Sequence, residues 1–91
     1  MSNFPFTQSE AAGILIREFS KDVDSGELVW HRDRQDRKVL VKKGEGWKLQ
    51  MENSLPVDLK PGMTYEIPKN TYHRVMKGTS NLIVEIEEYD R

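Results

Sequence analysis

His31 and His73 are the only two imidazoles in the chain, and each sits in a run whose spacing could support ligation chemistry. His73 lies in GMTYEIPKNTYHRV, where five residues separate Gly62 from Pro68 and the histidine follows the proline by five positions. A proline-led turn between two strand-like runs delivers that histidine to the start of the second strand. That is the inner face where a β-barrel needs a ligand for a metal or a small molecule. Asp33 follows His31 by two positions, and strand alternation puts both side chains on one face. Two imidazoles and one carboxylate suffice for Zn²⁺, Fe²⁺, Ni²⁺ or Mn²⁺, with positions left open for water or substrate. Cysteine is absent, which excludes disulfides, thiolate nucleophiles, zinc fingers and iron–sulfur ligation. Any metal must be held by His, Asp, Glu or backbone oxygen.

The run Arg32-Asp33-Arg34-Gln35-Asp36-Arg37-Lys38 surrounds the first candidate. Read plainly, it is a salt-bridged loop and strand start, each exposed pair adding little stability. Read functionally, it is an anion clamp at a barrel mouth, where Arg32, Arg34 or Arg37 could grip a carboxylate or phosphate through two parallel hydrogen bonds. Taken singly, each histidine is more often a hydrogen-bonded structural residue than a ligand, and their pairing is what argues for chemistry. Other chemistries fall away. Ser9, Ser20, Ser25, Ser54 and Ser80 lie in no nucleophile-elbow context, and no phosphate loop or dinucleotide glycine pattern occurs. Glu85, Glu87 and Glu88 are expected on the solvent side of the last strand, with Glu85 and Glu87 solvated or facing basic residues of a neighbour.

Positioning such groups falls to strands. Trp47, Leu49 and Met51 alternate with Lys48, Gln50 and Glu52, Leu82, Val84 and Ile86 alternate with Ile83 and Glu85, and Val39 and Val41 flank Leu40. Turn chemistry at Asp24-Ser25-Gly26, Lys60-Pro61-Gly62 and Pro68-Lys69-Asn70, among others, separates the runs. The pattern predicts strands near 13–20, 27–32, 37–43, 46–52, 55–59, 63–67, 72–77 and 81–89, with Trp30 and Trp47 both facing inward. Thr7-Gln8-Ser9-Glu10 has the form of a helix-capping box, but Gly13 and the β-branched run behind it limit any helix to about two turns. Residues 1–12 therefore read as an extended arm or a short helix ahead of a β-barrel at 13–89.

Ninety-one residues make one domain, and 36% hydrophobic with 32% charged residues describe an ordered chain with a normal interior. Net charge is -1, yet residues 32–48 carry seven basic and three acidic side chains. Lysines on an exposed hairpin edge account for this better than a nucleic-acid face does, and two tryptophans are too few for a stacking platform. The amino terminus lacks the basic start and apolar stretch of a secretory signal, and no apolar run is long enough to cross a membrane. The expected compartment is the cytoplasm.

Many short strands bounded by Gly and Pro turns mean an all-β sandwich or barrel. The turn contents then resemble the cupin family, whose second motif runs G-x5-P-x-G-x2-H-x3-N. Gly62, Pro68 and His73 match it, with Asn70 in place of the glycine and Lys77 in place of the asparagine. Asn is the commonest substitute for Gly where the backbone needs a positive φ. The first motif, G-x5-H-x-H-x3-4-E-x6-G, is matched in outline from Gly26 to Gly44: His31 takes the first histidine, Asp33 falls on the second, and Arg37 falls on the glutamate.

The resemblance implies a single-domain double-stranded β-helix, a small jelly-roll barrel, holding a degenerate divalent-metal site. Its candidate ligands are His31, Asp33 and His73. Arg37, if it points inward, either repels the metal or withdraws Asp33. Alternatively Asp36 supplies the carboxylate and Arg37 turns outward. The resemblance implies oxygenation, isomerisation or decarboxylation of a small acid or sugar where a metal is held, whereas Arg37 in place of an acid favours metal-free binding of an anionic small molecule; a small-molecule-binding barrel is the expectation that contains both. A homodimer is expected, covering sheet edges and side chains such as Phe4, Phe6 and Leu15.

Overall fold

The structure is a computed structural model that describes residues 4–89. Eight strands run in order: β1 (Phe6–Ala11), β2 (Ile14–Phe19), β3 (Asp36–Lys43), β4 (Lys48–Met51), β5 (Val57–Asp58), β6 (Thr64–Ile67), β7 (His73–Met76) and β8 (Leu82–Tyr89). They form two antiparallel sheets, one ordered β1-β2-β8-β3-β6 and the other β5-β4-β7. No helix among the described residues is long and apolar enough to cross a membrane.

Alternation builds the interior as the sequence pattern requires. Val39 and Val41 of β3, Leu49 of β4, Ile67 of β6, and Leu82, Val84 and Ile86 of β8 are buried and share one core with Phe19, Leu59 and Trp47. Trp47 is fully buried, and its indole N–H donates to the Ser80 carbonyl at 2.6 Å, so the ring loses no hydrogen bond on burial. Gly78 lies against it. A side-chain carbon there would collide with the Glu45 carbonyl oxygen and come within 2.6 Å of the Trp47 amide nitrogen, so this turn has room only for glycine.

Three expectations change. The segment with a capping-box pattern is strand β1, paired with β2 from Phe6↔Phe19 to Ala11↔Ile14. Ala12 and Gly13, at φ 53° and 83°, supply the two positive-φ positions of a tight hairpin, so Gly13 turns the chain back instead of ending a helix. The strand expected at 27–32 shrinks to a single bridge at His31, because the Asp24 side chain accepts from the Gly26 amide and closes a 3₁₀ turn over Ser25–Glu27. Trp30 consequently faces outward, 42% exposed, with the Arg74 guanidinium 4.8 Å from its ring centroid.

Candidate metal centre

The backbone around the site is stitched from both sides. His31 and His73 exchange two main-chain hydrogen bonds, His31 N–H to the His73 carbonyl at 3.0 Å and the reverse at 2.8 Å. The 68–70 turn then locks the segment after His31: the Asn70 amide donates to the Asp33 carbonyl at 2.7 Å, and the Lys69 amide donates to Asp36 Oδ1 at 2.8 Å. Asn70 sits at φ 61°, the left-handed conformation expected at the position where the motif carries glycine. The site thus lies where the chain leaves the small sheet at His31 and enters the large one at Asp36.

These constraints bring His31, Asp33 and His73 together. One donor atom from each lies within 4.8 Å of the other two, and the imidazole centroids are 4.3 Å apart. The ring tautomers follow from the backbone. His73 Nδ1 is 2.8 Å from the Thr71 carbonyl and His31 Nδ1 is 3.0 Å from that of Val29. A carbonyl only accepts, so each Nδ1 carries the proton, and in the neutral ring each Nε2 presents a lone pair.

Burial, together with the nearby His31 and Arg37, holds His73 below the ordinary histidine pKa against the opposing pull of the Thr71 carbonyl and Asp33. It is therefore neutral at pH 7, and its Nε2 lone pair stands 3.3 Å from Asp33 Oδ2 with no proton between them. That carboxylate oxygen is buried and has no hydrogen-bond partner. Leaving such a group unsatisfied costs about 1–3 kcal/mol, more when it is charged.

Arg37 points inward, into a cavity between the two sheets that His31, Asp33 and His73 also line. Its charge is met mainly by Glu88, which accepts from Nε at 2.9 Å and from Nη2 at 2.7 Å. Asp33 Oδ2 lies 3.4 Å from Nη1, an ion pair without hydrogen-bond alignment. Glu88 is hence not on the solvent side: β8 alternation carries Leu82, Val84 and Ile86 on to Glu88, and the register sets Glu88 opposite Arg37. Glu85 does face a basic neighbour, with Lys42 at 3.9 Å. Asp36 is buried but supports the 68–70 turn and does not line the cavity, so it is no substitute ligand.

The cavity between the sheets encloses about 400 Å³. Its walls are mostly apolar, including Phe19, Leu28, Leu49, Leu59, Val75 and Ile86, and His31, Asp33, Arg37 and His73 form a polar cluster in them. Arg17 also lines it, a residue absent from the sequence-derived candidates. Its signal was the alternation Leu15, Arg17, Phe19 along β2, which ends in a buried phenylalanine.

Comparison with solved structures places this geometry in a known architecture. A cupin domain from Bordetella pertussis Tohama I is 21% identical, with 98% of each chain covered and a TM-score of 0.63. An RmlC-like cupin family protein with a double-stranded β-helix fold from Methanocaldococcus jannaschii is 19% identical over 89% of this chain and 76% of that one, with a TM-score of 0.64. The Fe(II) enzyme HppE in complex with substrate is 12% identical over 92% of this chain and 52% of that one, with a TM-score of 0.67. The chain also spans about a third, 35%, of the length of a matching DMSP lyase chain, at 19% identity over 80% of this chain and a TM-score of 0.69.

No family model matches the sequence. No curated protein matches it either. The likeness establishes the fold: an all-β cupin double-stranded β-helix, whose structural neighbours are cupins over most of the chain. Within that fold, His31, Asp33 and His73 form a group that could hold a metal.

Proposed function

We propose that this protein is a metal-binding cupin barrel that admits a small molecule to its cavity, with His31 Nε2, His73 Nε2 and one Asp33 oxygen as the ligands of a single divalent cation. The observation that carries this reading is Asp33 Oδ2, which is buried, accepts no hydrogen bond, has only a loose ion pair with Arg37 at 3.4 Å, and lies 3.3 Å from the unprotonated nitrogen of His73. Two electron-rich atoms held that close by the backbone call for a cation between them and their neighbour His31. The donor set suits Fe²⁺, Mn²⁺, Ni²⁺ or Zn²⁺, and two histidines with one carboxylate leave coordination positions open. A metal held by these residues would supply Lewis acidity. The protein's own groups do the rest. Thr71 and Val29 fix the histidine tautomers, Glu88 holds the Arg37 guanidinium beside Asp33, and the mostly apolar walls leave room for the body of a small molecule.

A second reading makes the protein a metal-dependent enzyme acting on a small acid or sugar, as an oxygenase, isomerase or decarboxylase. The likeness to an Fe(II) enzyme supports the metal type, while the reaction does not transfer with the fold. Metal analysis of untagged protein, followed by calorimetric titration with Mn²⁺, Ni²⁺ and Zn²⁺, tests the first reading. One ion per chain is expected. Asp33→Asn, which keeps the side-chain shape, should weaken binding at least tenfold, and His73→Ala should abolish it. Wild-type protein that takes up no ion, or an unchanged affinity in both variants, overturns the assignment.

A further inference from the structure

Arg17 lies on β2, one alternation step from the buried Phe19, and it lines the same cavity as the histidine–aspartate group. Its guanidinium carbon stands 4.1 Å from the Phe6 ring centroid, and its Nε donates to Gln8 Oε1 at 2.5 Å. These two contacts hold the plane of the head group. The two Nη groups make no hydrogen bond with the described residues, and no carboxylate pairs with them there. Arg37 differs in this respect, since Glu88 already engages it from two nitrogens.

Half-burying an arginine that forms no ion pair among the described residues is costly, and a chain that only needed a filled wall would place an aliphatic residue on this face. The cost is visible. Burial, with the like charge of Arg37, pushes Arg17 down to about 10, partly offset by Asp33 and Glu88 acting through space. It remains a cation at neutral pH. Glu27 is the other acid that lines the cavity besides Asp33, and it is exposed and forms no ion pair with Arg17 among the described residues.

We propose that Arg17 anchors the charged end of a small organic anion, a carboxylate or phosphate ester whose apolar body lies along the cavity wall toward the histidine–aspartate group. This rests on the reading of the cavity as a ligand site, and it names the class of ligand. The planar fork of Arg17 matches an oxyanion through two parallel N–H donors, and the Phe6 and Gln8 contacts keep that fork ordered before the ligand arrives.

The test uses the EDTA-treated 91-residue chain, so that no metal competes for the anion. Hexanoate and hexanamide, of equal size and differing in charge, are titrated into the wild type, Arg17→Lys and Arg17→Gln, with affinities read from amide chemical shifts. The wild type is expected to favour hexanoate by about tenfold or more, the scale of one charge-assisted pair. Arg17→Lys should keep part of that preference and Arg17→Gln should lose it. Equal affinities for acid and amide in the wild type overturn the proposal, and so does a preference that survives Arg17→Gln or no detectable binding of hexanoate. Spectra of the unliganded variants report whether they fold, and the wild-type comparison stands without them. A Zn²⁺ titration of the wild type reports separately on the metal centre, so either idea can fail alone.

Discussion

At the level of single residues, Arg37 decides how the centre behaves. At the position that falls on the glutamate of the motif it resembles, the chain carries a permanent cation, yet Glu88 takes most of its charge, leaving Asp33 in contact but not captured. Arg37→Glu should therefore raise affinity for Zn²⁺ or Ni²⁺, by exchanging a cation for a fourth donor. Without metal the same change crowds a third carboxylate against Glu88 and Asp33, so the thermal midpoint in EDTA should fall by several degrees and recover on adding the ion. Calorimetry and thermal unfolding on both proteins check the two halves. The grouping of His31, Asp33 and His73 was legible in the sequence because each residue sits in a short motif, although the two motifs lie 42 positions apart. The partnership of Arg37 with Glu88 spans 51 positions and belongs to no motif, so only the register of β3 against β8 discloses it.

Among the elements, the strands with apolar alternation were readable and the strand without it was not. β8 and β3 announce themselves through Leu82, Val84, Ile86, Val39 and Val41. β1 is almost wholly exposed beyond Phe6, and its Thr-Gln-Ser-Glu run satisfies a helix cap locally, so what makes it a strand is the hairpin at Ala12–Gly13 and six pairs with β2. Connections matter as much as strands. Gly78→Ala would drive a methyl group into the Glu45 carbonyl and Trp47, and the expected loss is about 1–3 kcal/mol, a fall in midpoint of about 5 °C or more. Unfolding of the single variant by circular dichroism measures it, and an unchanged midpoint would show that this turn is not tight.

For the molecule as a whole, the large sheet ends in β1 on one side and β6 on the other. Phe6 and Leu15, expected to need cover from a second copy, already pack against the core, whereas Phe4 stays 71% exposed and stacks on Phe6 at 5.4 Å. A homodimer formed along β1 would cover both the open edge and that ring. Light scattering should report twice the chain mass at micromolar concentration, with Phe4→Ser shifting it toward the monomer. A monomer throughout would refute the pairing. Barrel closure was legible as a fold, but the cavity's volume was not, because it depends on how far apart the two sheets stand and no single segment encodes that distance.

The crossing at residues 31–36 has one more consequence. His73 begins β7 of the small sheet, His31 is bonded to it, and Asp33 lies on the stretch that runs into β3 of the large sheet. An ion held by all three would staple the two halves of the sandwich at their seam. Loading would then be felt far from the ligands, as slower breathing of one layer against the other. A guest entering the cavity would meet a jaw whose stiffness the ion sets.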